Sequence, residues 1–182
     1  MRTRNAILLA LVVAVGASVV LFWPTPRRRA LARVEDLEGN FYEQPDETGR
    51  TISIVLLTNR PVTDDDLVVL QGIRPLHRLL LDGTRVTDAG MAHLEGFEGL
   101  EWVSCCTTAV TDEGMGHLKR VPGLRALHLG GTRVSDKGIA SLHGLPNLEV
   151  ANVRHSRVTP SGVDEWRRTT PSLKSVFFSG PE

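Results

Sequence analysis

The chain has 182 residues, with 21 basic and 21 acidic side chains and a formal net charge of zero at pH 7. That balance argues against a nucleic-acid binder. The two cysteines, Cys105 and Cys106, are neighbours that point to opposite faces of a strand, so they supply no disulfide framework. In chain order the first element is Ala6 to Trp23, a run without a charge, about 27 Å long as a helix. Arg2 and Arg4 precede it and Arg27, Arg28 and Arg29 follow. Residues 1–26 are therefore expected to form a membrane anchor with a single-pass transmembrane helix. The competing reading is a cleaved signal peptide, for which Ala30-Leu31-Ala32 offers a small-x-small site. The three arginines before that site and the length of the run favour an uncleaved anchor. The flanking arginines nearly cancel in the positive-inside rule, and the short tail before the run places the rest of the chain on the extracytoplasmic side.

Residues 27–51 read as an N-terminal cap: an amphipathic helix from Arg27 to Leu37, with Leu31, Val34 and Leu37 on one face, then Phe41 and Tyr42. From residue 52 to 171 a 24-residue pattern is written five times, starting at Ile52, Leu76, Leu100, Leu124 and Leu148. A fixed period of this length means a solenoid, whose stacked turns bury a common core. Apolar residues at positions four (Val55, Leu79, Val103, Leu127, Ala151) and six (Leu57, Leu81, Cys105, Leu129, Val153) alternate as a short strand does. Position eleven is valine in each turn, followed by a hydroxyl (Thr63, Thr87, Thr111, Ser135, Thr159), a helix N-cap signal. Asp64, Asp88, Asp112 and Asp136 come next, where a helix dipole favours negative charge, and Pro160 takes that slot in the fifth turn. Met91, Leu94 and Phe97 then line one side of a short helix, which ends in turn formers such as Glu98-Gly99 or Pro122-Gly123. Residues 172–182 read as a half-repeat strand with an uncovered edge, since Leu173, Val176 and Phe178 repeat the inward pattern.

The pattern Leu-x-x-Leu-x-Leu, with a small polar residue at position nine and an apolar one at eleven, resembles the leucine-rich repeat family over residues 52 to about 179. The family's usual asparagine or cysteine at position nine is replaced by Thr84, Thr108, Thr132 and Ser156, whose hydroxyls can bond the bent loop backbone. The Val-Thr-Asp-x-Gly-Met-x-x-Leu half resembles repeats of F-box-associated adaptors and of uncharacterised bacterial proteins. The resemblance implies an α/β leucine-rich-repeat solenoid with a curved parallel sheet, and a role in protein recognition.

Stacked strands about 4.8 Å apart present positions three, five and seven on one concave face. Ile54, Leu56, Leu80 and Trp102 form an apolar stripe there that the repeat does not demand, and a large aromatic at its centre is what a protein interface uses. Arg78 and Ser104 lie among them. His128, Asn152, Arg154 and His155 offer hydrogen-bonding or anion-binding groups farther along. The sequence thus predicts a partner-binding face built from Ile54, Leu56, Arg78, Leu80, Trp102, Ser104, His128, Asn152 and Arg154. Scattered apolar residues, or an N-terminal segment folded over the face, would explain the stripe equally well. A second reading is a scaffold that self-associates through the C-terminal edge strand, giving a homo-oligomer. Arg85, Arg133 and Arg157 share position ten on the rim, and solvation explains them as well as anion binding does. His93 and His117 recur at equivalent positions with Ser141 in the third, so no zinc ligand set is supplied. Cys106 with His128 lacks a third orienting group and a closed pocket, and no catalytic residue or cofactor is indicated.

Overall fold

The computed structural model describes residues 25–179 and, upstream, the backbone of two short strands, β1 (Val12–Val15) and β2 (Ser18–Leu21), paired antiparallel. The rest of the expected anchor, Ala6 to Trp23, lies outside the described residues, as do residues 180–182. Where one continuous helix was expected, the two strands form a ribbon, in keeping with the extended preference of β-branched valine. Among the described residues no helix is long and apolar enough to cross a membrane.

Helix α1 (Pro26–Asp36) starts with Thr25 as its cap and proline at the first position, which has no amide to leave unpaired. Its buried face is Ala30 and Val34, continued by Leu37. The chain then turns into β3 (Asn40–Pro45), which pairs antiparallel with β4 (Thr51–Leu56) and sets Tyr42 opposite Ile54. Beyond β4 every pairing is parallel: β5 (Arg78–Leu80), β6 (Trp102–Ser104), β7 (Ala126–His128), β8 (Val150–Asn152) and β9 (Ser175–Phe177). The seven strands β3 to β9 form one sheet in chain order. Val55, Leu79, Val103, Leu127, Ala151 and Val176 are direct partners in that ladder. The unchanging 24-residue spacing up to Ala151 produces this register, and the one-residue insertion before Val176 is absorbed ahead of β9.

Each strand from β4 to β8 leads through a loop into a helix: α2 (Asp64–Leu70), α3 (Asp88–His93), α4 (Asp112–Met115), α5 (Asp136–Ala140) and α6 (Pro160–Thr169). Met91, Leu94 and Phe97, like Met115, Leu118 and Val121, face the single core that lies between helices and sheet. The hydroxyls of Thr84, Thr108, Thr132 and Ser156 each donate to the carbonyl three residues back, at 2.6–2.7 Å. They hold the loop after each strand in place of the asparagine side chain.

The aspartate ladder does more than meet its own helix dipole. Asp88 accepts the Thr111 amide at 2.8 Å and the Thr111 hydroxyl at 2.6 Å, so it grips the cap of the next turn. Asp64 does the same to Thr87, Asp112 to Ser135 and Asp136 to Thr159. The glycine two residues after each gripped aspartate slot explains the rest of the motif. A β-carbon built on Gly114 would lie 2.5 Å from Asp88 Oδ1, and Gly90, Gly138 and Gly162 are crowded by the preceding turn's carboxylate in the same way. The first hydroxyl, Thr63, has no earlier aspartate. Asp66 takes over, accepting the Thr63 amide at 2.8 Å and the Arg33 guanidinium of α1 at 2.7 Å.

Candidate functional site

The concave face is built from alternate residues of β4 to β9, because inward aliphatics take the other positions. Trp102 stands at position three of its strand, and its neighbours one turn to either side hold the indole. The Arg78 guanidinium carbon lies 5.1 Å from the ring centroid on one side, and the His128 ring meets it edge-on at 5.2 Å on the other. Both pairs follow from strand register, since Arg78 and Trp102 are direct partners, as are Ser104 and His128. The indole Nε1 is buried and has no hydrogen-bond partner. Burial pushes the His128 pKa down, against the pull of Asp82, so the imidazole against Trp102 is uncharged at neutral pH.

Tyr42, Gln44, Ile54, Leu56, Leu80 and Trp102 border a shallow groove of about 430 Å³. Strand β3 extends the sheet edge-on beside β4 and adds Tyr42 to the apolar stripe, so the cap does not fold over this face. Two of the residues expected at the surface are largely covered by their neighbours. Ile54 is 8% exposed, flanked by Tyr42 and Arg78, and Ser104 is 3% exposed with its hydroxyl donated to Asp82 at 2.5 Å. They support the face from below. Asp82 also accepts the Cys106 amide at 2.7 Å, which fixes the floor between Leu80 and His128.

At the far end Arg154 is exposed and lies over Phe177 at 5.4 Å, while Asn152 Oδ1 accepts the Arg154 amide. The His155 amide donates to Ser179. His128 and Arg154 are thus engaged with different aromatic rings, and the structure does not gather them into one anion pocket. Arg85, Arg133 and Arg157 are exposed on the rim.

Sequence reading missed position two. From β4 onward it spells Ser53, His77, Glu101, Arg125, Glu149 and Lys174, a rail along one edge of the concave face. Arg125 reaches Glu149 at 2.6 Å and Lys174 reaches the same carboxylate at 2.6 Å. Arg50, from the β3–β4 turn, bridges Asp46 at 3.1 Å and Glu101 at 2.8 Å. Hydrogen bonding from Arg50 holds the Glu101 carboxyl below its ordinary range against the effect of burial, and the Thr48 hydroxyl leads the groups that bring Asp46 to about 2. The alternation of sign at a 24-residue interval was the available signal. Rail, turn and Trp102 enclose a cleft of about 530 Å³, with Ala126 and Val150 on its floor. Ala126 is the smallest side chain at position three and leaves a notch beside the indole.

Nucleophilic chemistry finds no support in these groups. Ser53 Oγ lies 3.2 Å from His77 Nδ1, but the hydroxyl is donated to the Pro75 carbonyl and both residues are buried. The same His77 nitrogen accepts the Ser53 amide at 3.0 Å, so the pair ties two turns together. Burial and Asp82 push the Cys106 thiol up, away from the thiolate a nucleophile needs. Among the described residues no group of three metal-ligating side chains converges.

The fold is an α/β solenoid of stacked strand-loop-helix turns, with a parallel strand ladder over one buried aliphatic core. No protein-family model matches the sequence, and no curated protein matches it significantly. Among solved structures the chain is similar to internalin C2 of Listeria monocytogenes, with 24% identity and a TM-score of 0.49 over 62% of this chain and 46% of that one. It is also similar to internalin F of the same organism, with 13% identity and a TM-score of 0.37 over 64% of this chain and 44% of the other. The chain thus spans less than half the length of either.

Proposed function

We propose that this protein is a non-catalytic binding module that takes a protein partner on its concave face, with Trp102 as the anchor. One observation carries the reading: a large aromatic is held between Arg78 and His128 on an open face, bordered by an apolar groove and a charged cleft. Aromatic and arginine side chains in partly desolvated pockets dominate protein interfaces. Leu56, Leu80 and Tyr42 supply the apolar flank, and Arg78, His128, Asn152 and Arg154 the polar one. Ala6 to Trp23 anchors the module in a membrane, with the repeats on the extracytoplasmic side. The length and lack of charge of that run support the anchor, which would need a continuous helix in place of the β1–β2 ribbon for its backbone groups to be paired in hydrocarbon.

Photocrosslinking in native membranes tests this, with a probe in place of Trp102 and a control probe in place of Lys137 on α5. A discrete product from the Trp102 position alone is expected. Equal products from both positions, or none, would remove the concave face from the account.

A second reading has its own observation. Among the described residues β9 pairs only with β8, and Phe177 on it is 44% exposed. Such an edge can pair with the same strand of another copy. Light scattering of the full chain in detergent would then show a concentration-dependent dimer that Ser175→Pro abolishes; a monomer at all concentrations rejects self-pairing.

A further inference from the structure

Arg78 is the cation that the concave face leaves unmatched. Three arginines line the charged cleft, and two of them are paired, Arg50 with Asp46 and Glu101 and Arg125 with Glu149. The Arg78 guanidinium makes no ion pair or hydrogen bond with a described residue, and what holds it is the indole of Trp102. A cation–π contact engages its charge but none of its five N–H donors, so the group is set in place with its hydrogen-bonding edge unused. The same arginine is the one charged residue among those lining the apolar groove, whose walls are Tyr42, Leu56, Leu80 and Trp102. Acids lie nearby without answering it. Asp82 accepts from Ser104 and Cys106, and Glu47 on the β3–β4 turn borders the cleft and not the groove.

We propose that the groove takes an acidic segment of the protein partner, in which a large apolar side chain packs between Tyr42, Leu56 and Leu80 and a neighbouring Asp or Glu carboxylate meets the Arg78 guanidinium. The inference rests on the concave-face reading and names the chemistry of its ligand. Charge complementarity selects the acid. A guanidinium over an aromatic ring is weakly hydrated, so a partner that covers it displaces little water, and its planar fork matches a carboxylate with two hydrogen bonds. A basic side chain arriving there would meet like charge and desolvate both cations. A wholly apolar segment would cover the guanidinium and leave its donors unpaired. An acid beside an apolar residue satisfies groove and arginine together.

The probe is a library of short random peptides, displayed on phage through their C-termini and selected against the full chain immobilised in detergent. Enriched sequences are expected to carry Asp or Glu next to, or one residue from, a large apolar side chain. One such peptide is then made with an amidated C-terminus and titrated by fluorescence polarisation. Changing its acid to the corresponding amide should weaken binding about tenfold, Arg78→Gln in the protein should do the same, and the two changes together should do no more. Circular dichroism checks the fold of the variant, while the altered peptide tests the same pair on the unaltered protein. Enriched sequences that lack an acid, or an acid whose removal costs as much in Arg78→Gln as in the original chain, would overturn the inference. If Trp102→Ala still abolishes binding of those peptides, the concave-face reading stands without it. Peptides that ignore both Trp102→Ala and Leu80→Asp bind elsewhere, and inference and reading fall together. Enrichment only in a second library with free C-termini assigns the carboxylate to a chain end and rejects the acidic side chain. No enrichment in either library rejects a linear acidic segment and leaves the concave face to the crosslinking experiment.

Discussion

At the residue scale, Trp102 and the two histidines near it carry the measurable consequences. Trp102 belongs to the exposed face rather than the aliphatic core, so Trp102→Ala should weaken partner binding by about 2 kcal/mol or more without unfolding the domain. Binding unchanged in titration calorimetry would remove the indole from the site. His77 and His128 both titrate below the ordinary histidine value, chiefly because burial disfavours their charged forms, with Arg50 adding to the effect at His77. The sign of the pH dependence follows. Between the depressed folded value and the ordinary value near 6.5, the unfolded chain takes up a proton that the folded chain refuses. Stability is therefore full above the ordinary value and falls as pH drops through it. Urea unfolding at pH 7 and pH 5 should show this loss, and His77→Gln should show a smaller one. An identical loss in the variant would mean that His77 does not contribute.

At the element scale, the Thr-Asp-x-Gly motif works as a clasp between turns. The hydroxyl residue caps its own helix, the aspartate holds the next cap, and the glycine admits the aspartate from the turn before. Asp88→Ala removes two hydrogen bonds to a carboxylate and should cost about 2 kcal/mol. Gly114→Ala pushes a methyl against that same carboxylate and should cost about 2 kcal/mol by overpacking. The two changes relieve one another, because the shortened side chain at 88 vacates the space the methyl needs. The double variant should be more stable than the sum of the single losses implies, by about 1 kcal/mol. Strict additivity in chemical denaturation would show that the crowding at Gly114 comes from Met91 or the backbone instead.

At the scale of the whole molecule, the periodic parts were legible and the parts joining unlike positions were not. Strand register and buried aliphatics follow from a repeat with constant spacing. The reach of Asp88 to Thr111, the paired rail at position two and the burial of Ser104 depend on contacts between turns, which a reading of each turn alone does not display. The two ends of the solenoid also differ in a way the pattern does not state. At the first end β3 pairs with β4 over six residues, and Arg33 of α1 locks onto Asp66. At the other end β9 pairs with β8 over three residues, and its Ser175 and Phe177 are exposed. Solenoid stability is close to a sum of turn and neighbour contributions, so local opening is easiest where a turn has one neighbour and little cover. Amide hydrogen exchange should therefore be slowest in β5 to β7, nearly as slow in β4, and fastest in β9. The gradient should steepen at the C-terminal side alone when Asp136→Ala releases Thr159 and loosens α6. Equal protection at both ends, or faster exchange in β4 than in β9, would mean that the helix and strand preceding β4 do not seal the first turn.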